Sequence, residues 1–281
     1  MPAPKRPTVE LYGASYEGFA ARLYADIRAE TYGEDIGQTS WTDAAELATF
    51  SSWLQLDRGG DRVLLDVACG SGGPALRIAR LTGCRVRGID AHAAAVQAAR
   101  DQAGQAGLGE RASFEQVDAS GPLPFPDASF DAITCIDAIL HLPGRPQVLA
   151  EWARVLKPGG RMVCTDPVVV TGAVTNEELA IRSSIGFFLF VPPGHDEALI
   201  AASGLELVTK EDRTENMALR AGRWRAARQQ REAELRRLEG DETFDGQQRF
   251  LEVTSGLAAE RRLSRWAFCA QRASRPASAS R

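Results

Sequence analysis

Residues 64–78 read LLDVACGSGGPALRI, and the order of residue types in this run decides the fold. Leu64, Leu65 and Val67 form a short apolar strand with Asp66 near its end. Gly70, Ser71, Gly72 and Gly73 make a glycine-rich turn, and Pro74 opens a helix that carries Leu76, Ile78 and Ala79. A backbone without side chains lets a ligand lie against such a turn, at dihedrals that other residues resist. Proline suits the first helical turn, where its missing N–H is not needed. Strand, glycine turn and helix in this order cradle a nucleotide, because the turn and the helix N-terminus present N–H groups to it.

Two kinds of cradle share this outline. A dinucleotide fingerprint has the form G-x-G-x-x-G, and Gly70-Ser71-Gly72-Gly73-Pro74-Ala75 meets it with alanine in third place. The second kind has an acid four positions before the first glycine, and Asp66, Gly70 and Gly72 stand in that register. The run resembles the D/E-x-x-x-G-x-G signature of class I S-adenosylmethionine-dependent methyltransferases.

The segments that follow extend the resemblance. RVRGID, residues 85–90, is a second strand ending in Asp90, eighteen residues after Gly72. An acid at that tip is placed to accept ribose hydroxyls; a structural alternative makes it the N-cap of the next, alanine-rich helix. SFEQVDAS, residues 113–120, is a third strand with Asp118 just beyond it. LPFPDASFDAITCIDAILHL (123–142) and RVLKPGGRMVCTD (154–166) match the family's fourth-strand segment and its turn and fifth strand. The resemblance spans residues 60–170 and implies S-adenosylmethionine as cofactor. It assigns the cofactor site to Asp66, Ala68, Gly70, Ser71, Gly72, Asp90, Ala91, Val117, Asp118, Ala119 and Asp137. Asp118 would hold the adenine amino group, with Val117 against the ring.

Strands near 63–67, 85–89, 113–117, 131–136 and 160–165 alternate with helices near 74–82, 91–106 and 146–155. Such alternation marks a doubly wound parallel sheet. The resemblance implies an α/β, Rossmann-like, seven-stranded sheet, with a sixth strand near 205–211. An antiparallel last strand, near 262–270, would lie between the fifth and sixth. Residues 1–56 are read as an N-terminal helical cap, disordered over 1–8, with Tyr12, Tyr16, Phe19 and Tyr24 at helical spacing and a second helix over 42–56. Residues 57–170 form the cofactor-binding core, and 171–270 complete it with lid insertions at 171–195 and 216–262. Residues 271–281 are a polar tail. The 216–262 insertion crowds Arg220, Arg223, Arg225, Arg228, Arg231, Arg236 and Arg237. They read either as a solvated, ion-paired face or as a lid that meets an anionic acceptor such as a prenyl diphosphate.

The 281 residues suffice for a full core, and an apolar fraction of 44% with 25% charged residues is ordinary for a globular protein. A net charge of −4 is unlike the basic footprint of a general nucleic-acid binder. No run approaches the ~20 apolar residues that span a bilayer, and the start MPAPKRPTVE has no apolar signal core. Cys69, Cys84, Cys135, Cys164 and Cys269 are scattered, and read as small buried residues of a reducing cytoplasm rather than as disulfides or a metal site. The Ala, Arg and Gly content suggests a high-GC bacterium. The partner expected is a small molecule, with no nucleic acid and no membrane; a homodimer is compatible with this reading.

Methyl transfer from a sulfonium requires acceptor, methyl and sulfur in line with water excluded. A hydroxyl acceptor also needs a base within hydrogen-bond reach. Residues after the fourth strand face the methyl, and there His141 stands in DAILHLPGR. The run resembles the same segment of small-molecule methyltransferases of natural-product pathways, where a histidine at this position can act as base. Asp166, at the end of the fifth strand, would orient it as a His–Asp pair; the structural alternatives are a packing histidine and a strand-end turn before Pro167. The expected result is activity that rises with pH through ~6.5, displaced upward by Asp166. YGEDIGQTSW, residues 32–41, partly resembles the opening segment of glycine and sarcosine methyltransferases but lacks their histidine after G-E-D-I. Tyr32, Gln38 and Trp41 would wall the acceptor on one side, and Phe187, Phe188 and Phe190 on the other. The reading is thus a methyltransferase of specialised metabolism acting on a hydroxyl. N- or C-methylation, a non-methylating binding protein or cyclase and, without support from a Tyr-x-x-x-Lys motif, a NAD-dependent oxidoreductase are the alternatives.

Overall fold

The computed structural model of the chain describes residues 21–57 and 61–274. The readings made on Tyr12, Tyr16, Phe19, residues 1–8 and the last seven residues lie outside the described residues. Among the described residues two helices come first, α1 (Arg22–Tyr32) and α2 (Ala44–Leu54). Asp43 caps α2, its Oδ1 accepting from the Glu46 N–H at 2.9 Å. The alternation then follows as β1 (Val63–Val67), α3 (Gly73–Thr82), β2 (Arg85–Asp90), α4 (Ala93–Gln105), β3 (Ala112–Gln116), β4 (Phe130–Cys135), α5 (Arg145–Val155) and β5 (Leu156–Val170). After β5 come α6 (Asn176–Arg182), α7 (His195–Ala202), β6 (Leu205–Asp212), the insertion helices α8 (Thr214–Gln229), α9 (Glu232–Glu239) and α10 (Asp241–Ala259), and β7 (Leu263–Arg272). No described helix is long and apolar enough to cross a membrane.

The seven strands form one sheet in the order β3-β2-β1-β4-β5-β7-β6. β1 to β5 pair in parallel, and β7 runs antiparallel to both β5 and β6, as the resemblance implied. The chain leaves β1 towards β2 on one side and returns to β4 on the other. That reversal opens a crevice at the carboxyl ends of β1 and β4, where ligands bind in open α/β sheets.

Alternation along the strands builds two cores. Leu64, Val86, Ala132, Val163 and Cys269 face α2, α3 and α4. Leu65, Val67, Ile89, Ile133, Met162, Cys164 and Phe268 face α5 and α7. All five cysteines are free and buried, four of them in or beside strands.

Two expectations need correction. β5 is not confined to 160–165: it begins at Leu156 and continues through Asp166 and Pro167 to Val170. Its register against β4 jumps from Phe130↔Leu156 to Ala132↔Arg161, so Lys157–Gly160 loop out of the ladder. A Cβ on Gly160 would lie 2.8 Å from the Lys157 carbonyl and 2.9 Å from that of Asp131, so the loop closes only with glycine there. Residues 271 and 272, read as tail, belong to β7.

Candidate functional site

The glycine turn leaves β1 with alternating positive φ: 53° at Ala68, 53° at Gly70 and 78° at Gly72. Gly72 caps α3 in the left-handed region and Pro74 occupies its first turn. The turn is tied to the next strand by Cys69 N–H to the Ile89 carbonyl, 3.0 Å, and by Gly70 N–H to Asp90 Oδ2, 2.9 Å. The other oxygen of Asp90 accepts from the His92 N–H at 2.9 Å. His92, not Asp90, is the N-cap of α4, so the capping alternative for Asp90 falls away. Asp66 is buried beside it and accepts from the Thr134 hydroxyl at 2.6 Å. Burial pushes its carboxyl up to about 7, with the Asp90 charge adding to the rise. Asp118 is exposed past β3 and takes the Ser120 N–H at 2.9 Å; Val117 is half-buried, Ala119 buried and Ala91 exposed.

The structure therefore brings the expected cofactor residues of β1, β2 and β3 to the carboxyl ends of three neighbouring strands. Their chemistry fits the cofactor. A carboxylate has about four lone-pair sites, and only two at Asp90 are taken by backbone N–H groups. Acceptor capacity thus remains on each oxygen for ribose hydroxyls. Asp118 likewise keeps one oxygen without a hydrogen bond from the described residues, available to an amino group.

The N-terminal segment lies directly on this turn. The Ser71 hydroxyl donates to the Gly37 carbonyl at 2.6 Å, and a Cβ on Gly73 would stand 2.1 Å from the Ile36 carbonyl oxygen. Gln38 braces the segment from within: its amide accepts from Ile36 N–H at 2.9 Å and donates to the Glu34 carbonyl at 3.2 Å. Tyr32 is buried, its hydroxyl donating to the Ser40 carbonyl at 2.6 Å, and burial pushes its phenol up. Trp41 is buried against Phe250, ring centroids 6.3 Å apart, and Trp224, 6.1 Å. All three expected wall residues are thus occupied in holding the segment together.

Asp137, expected at the cofactor, adopts φ 52° at the end of β4. Its carboxylate accepts from Trp41 N–H at 2.8 Å, from the Thr165 hydroxyl at 2.7 Å and from Arg265 Nε at 2.7 Å. Its side chain is a joint between elements.

His141 closes a short 3-10 turn, residues Ile139–His141. Nδ1 lies 2.8 Å from the Phe187 carbonyl. A carbonyl only accepts, so Nδ1 carries the proton and the neutral ring bears its basic lone pair on Nε2. The ring meets Phe188 edge-on at 4.9 Å. Burial lowers it to about 4, against the Phe187 carbonyl, which favours the protonated form; the Arg182 charge adds to the lowering. The expected upward displacement by Asp166 does not occur, because the His–Asp pair does not form. Asp166 lies inside β5, fully buried, and binds Arg145 Nη1 at 2.7 Å and Val168 N–H at 3.0 Å. Asp196 holds the same nitrogen at 2.7 Å, while Arg145 Nη2 donates to the Leu189 carbonyl at 3.0 Å. Burial and the Asp196 carboxylate push Asp166 up. Asp166 thus holds Arg145, and Arg145 holds the 187–190 loop whose Phe187 carbonyl fixes His141. Phe187 is 48% exposed, and Phe188 and Phe190 pack partly against Leu140, Val168 and Leu257.

Comparison with known proteins agrees with this geometry. A methyltransferase domain family matches residues 65–164. The 27-O-demethylrifamycin SV methyltransferase of Amycolatopsis mediterranei is 33% identical over 218 residues, 74% of this chain and 78% of that protein. The chain belongs to the class I S-adenosylmethionine-dependent methyltransferases. A sarcosine/dimethylglycine N-methyltransferase of Halorhodospira halochloris is 29% identical and matched over 75% of each chain. The crystal structure of the cyclase SpnF shares the fold, with a TM-score of 0.74 at 24% identity over 97% of both chains.

In this methyltransferase most of the insertion arginines pair with carboxylates of the chain itself. Arg220 binds Asp43 and, at 3.0 Å, the Thr31 carbonyl; Arg228 binds Glu239 and Arg231 binds Glu30. Arg236 spans Glu232, Asp241 and Asp245 at 2.7–3.0 Å, and Arg225 reaches Glu252 at 3.2 Å. Five of the seven are ion-paired, as the solvated-face reading expects, and Arg223 and Arg237 are exposed. Sequence reading missed Arg145, Arg182 and Arg265, all buried. Arg265 did leave a signal: it is a charged residue inside the apolar strand run LSRWAFCA.

Proposed function

We propose that the protein transfers the methyl of S-adenosylmethionine to a hydroxyl of a small, largely apolar molecule of specialised metabolism. The observation that carries this reading is the His141 ring, held neutral beside an aromatic wall in the turn that follows β4. Bound S-adenosylmethionine supplies a methyl on a sulfonium, which is already a good leaving group. Asp66, Ala68, the Gly70–Gly72 turn, Asp90, Ala91 and the Val117–Ala119 segment hold the cofactor. Phe187, Phe188 and Phe190 exclude water from the acceptor side. The acceptor hydroxyl yields its proton to Nε2 of His141 as its oxygen takes the methyl. Asp137 and Asp166 act at one remove, through Trp41 and Arg145. The relative named as a 27-O-demethylrifamycin SV methyltransferase supports an oxygen acceptor of that kind.

An amine acceptor is the second reading, favoured by the similarity to the sarcosine/dimethylglycine enzyme. A neutral amine needs no base, so the two readings separate at His141. The test incubates the enzyme and S-adenosylmethionine with 27-O-demethylrifamycin SV or with sarcosine, and follows methylated product by mass spectrometry. Product is expected from 27-O-demethylrifamycin SV alone. His141→Ala should then lower the single-turnover rate by about a hundredfold, within the ~10²–10⁴ ascribed to a general base, with S-adenosylhomocysteine affinity unchanged. Methylated sarcosine, or a loss below about tenfold, would replace the hydroxyl reading by transfer through proximity alone.

A further inference from the structure

Arg265 is fully buried near the start of β7, where an apolar residue would satisfy the strand. Its guanidinium is bound on every side. Nε donates to Asp137 Oδ1 at 2.7 Å, Nη1 to both oxygens of Glu46 at 3.0 and 2.8 Å, and Nη2 to the Thr42 hydroxyl at 2.6 Å. The residue's own N–H donates to the Thr214 hydroxyl at 3.0 Å, at the start of α8. One side chain thus joins β7, the β4 turn, the Trp41–Thr42 segment and α2.

The segment it grips continues to the cofactor turn. Residues 36–38 lie on the glycine turn through Ser71 and Gly73, and Trp41 is seated on the β4 turn through Asp137. The Trp41 ring, in turn, is wedged between Trp224 of α8 and Phe250 of α10. Residues 36–43 therefore form a strap across the carboxyl ends of β1 and β4, anchored at one end on the cofactor cradle and at the other on the turn that leads to His141. The second anchor is held at the Ser40 carbonyl by the Tyr32 hydroxyl at 2.6 Å, at the Trp41 carbonyl by Asn216 Nδ2 at 3.3 Å, and at the Trp41 N–H by Asp137. Trp41 N–H depends on the orientation of Asp137, and Asp137 is oriented by Arg265 together with Thr165.

We propose that Arg265 is a positioning residue that locks the 36–43 strap down over the bound cofactor, so that its fork sets the lifetime of the closed complex. Arginine suits the task because a planar fork of five donors fixes three partners at once, which a lysine ammonium on a flexible stem does not. The inference rests on the cofactor site of this family and not on the choice of acceptor, so it stands or falls independently of the role of His141.

The test follows S-adenosylhomocysteine release from the full chain by stopped-flow fluorescence. Arg265→Lys is expected to speed release at least tenfold and to leave association within about threefold, as expected when affinity changes act mainly on the off-rate. Trp41→Ala frees the same strap from the insertion helices, so Arg265→Lys combined with Trp41→Ala should release no faster than the quicker single variant. That non-additivity is what a merely stabilising arginine would not produce. Hydrogen exchange should show the Trp41 amide losing protection in Arg265→Lys while the amides of β1 and β4 keep theirs. If Arg265→Lys does not fold, Thr42→Val removes one of its bonds and should give a smaller acceleration in the same direction. Wild-type release from Arg265→Lys, or from Thr42→Val where only that variant folds, would overturn the proposal, as would effects that multiply with those of Trp41→Ala.

Discussion

The cofactor side and the acceptor side of the crevice both carry carboxylates in or just beyond the strands of the sheet, and they hold them differently. At Asp90 and Asp118 the oxygens accept backbone N–H groups, from Gly70, His92 and Ser120, and retain capacity for a ligand. At Asp137 and Asp166 the oxygens meet buried arginines, Arg265 and Arg145, together with further donors from the protein. A carboxylate held by backbone amides is pre-oriented while still open to a hydroxyl. A carboxylate paired with a buried guanidinium is part of the framework, since removing either partner leaves an uncompensated charge. The same residue type thus keeps acceptor capacity on one side of the crevice and builds the framework on the other.

The sharpest way to break this comparison is on the building side. Arg220 joins the insertion to Asp43 and the Thr31 carbonyl, with both charged side chains nearly buried. Arg220→Met should destabilise the fold by ~3–5 kcal/mol, the range for breaking a buried pair. Arg225→Met, which removes an exposed pair with Glu252, should cost only ~0–1 kcal/mol. Thermal and urea unfolding measure both. An Arg220→Met protein as stable as the wild type but impaired in acceptor binding would return the arginines to the substrate.

On the binding side the expected effect is smaller and falls on affinity. Asp90→Asn keeps the shape of the side chain but turns an NH2 group towards either the Gly70 or the His92 N–H, whichever way the amide is placed. Calorimetry should show S-adenosylhomocysteine binding weakened about tenfold or more, equivalent to ~1.4 kcal/mol or above. Unfolding should change little beside that of Arg220→Met. Unaltered affinity would mean that Asp90 only braces the turn.

The division also explains what could be read from the chain. Asp66, Gly70, Gly72, Asp90 and Asp118 lie within one run of alternating strands and helices, where each position follows from distance to the nearest strand end. β1, β2, β4 and the position of β7 were legible for the same reason. The joints of the acceptor side pair Arg265 with Glu46, 219 residues apart, and Arg220 with Asp43, 177 apart. No local pattern names such partners. Asp166 was misread because β5 runs four residues beyond it, which places it inside the strand, against Arg145 and away from His141.

The smallest expected effect is an absence, and it concerns His141. An ordinary histidine titrates near ~6.5, whereas this ring is held at about 4, mainly by burial. Between those values the unfolded chain binds a proton at this position that the folded chain does not. The ring's contribution to stability is therefore complete above ~6.5 and is lost as pH falls towards 4. The neutral form that a base requires is present throughout the neutral range. The rate with a hydroxyl acceptor should show no inflection near ~6.5 from this residue, in contrast to a solvated histidine base. Nitrogen NMR of the ring should report the Nδ1–H tautomer, unchanged from about pH 8 down to about pH 5.5, because the proton is pinned by the Phe187 carbonyl. A titration at ~6.5 or higher in the folded protein would show that the ring is open to water. The 187–190 loop would then not be held by Arg145 as described, and the building side of the crevice would end before it reaches His141.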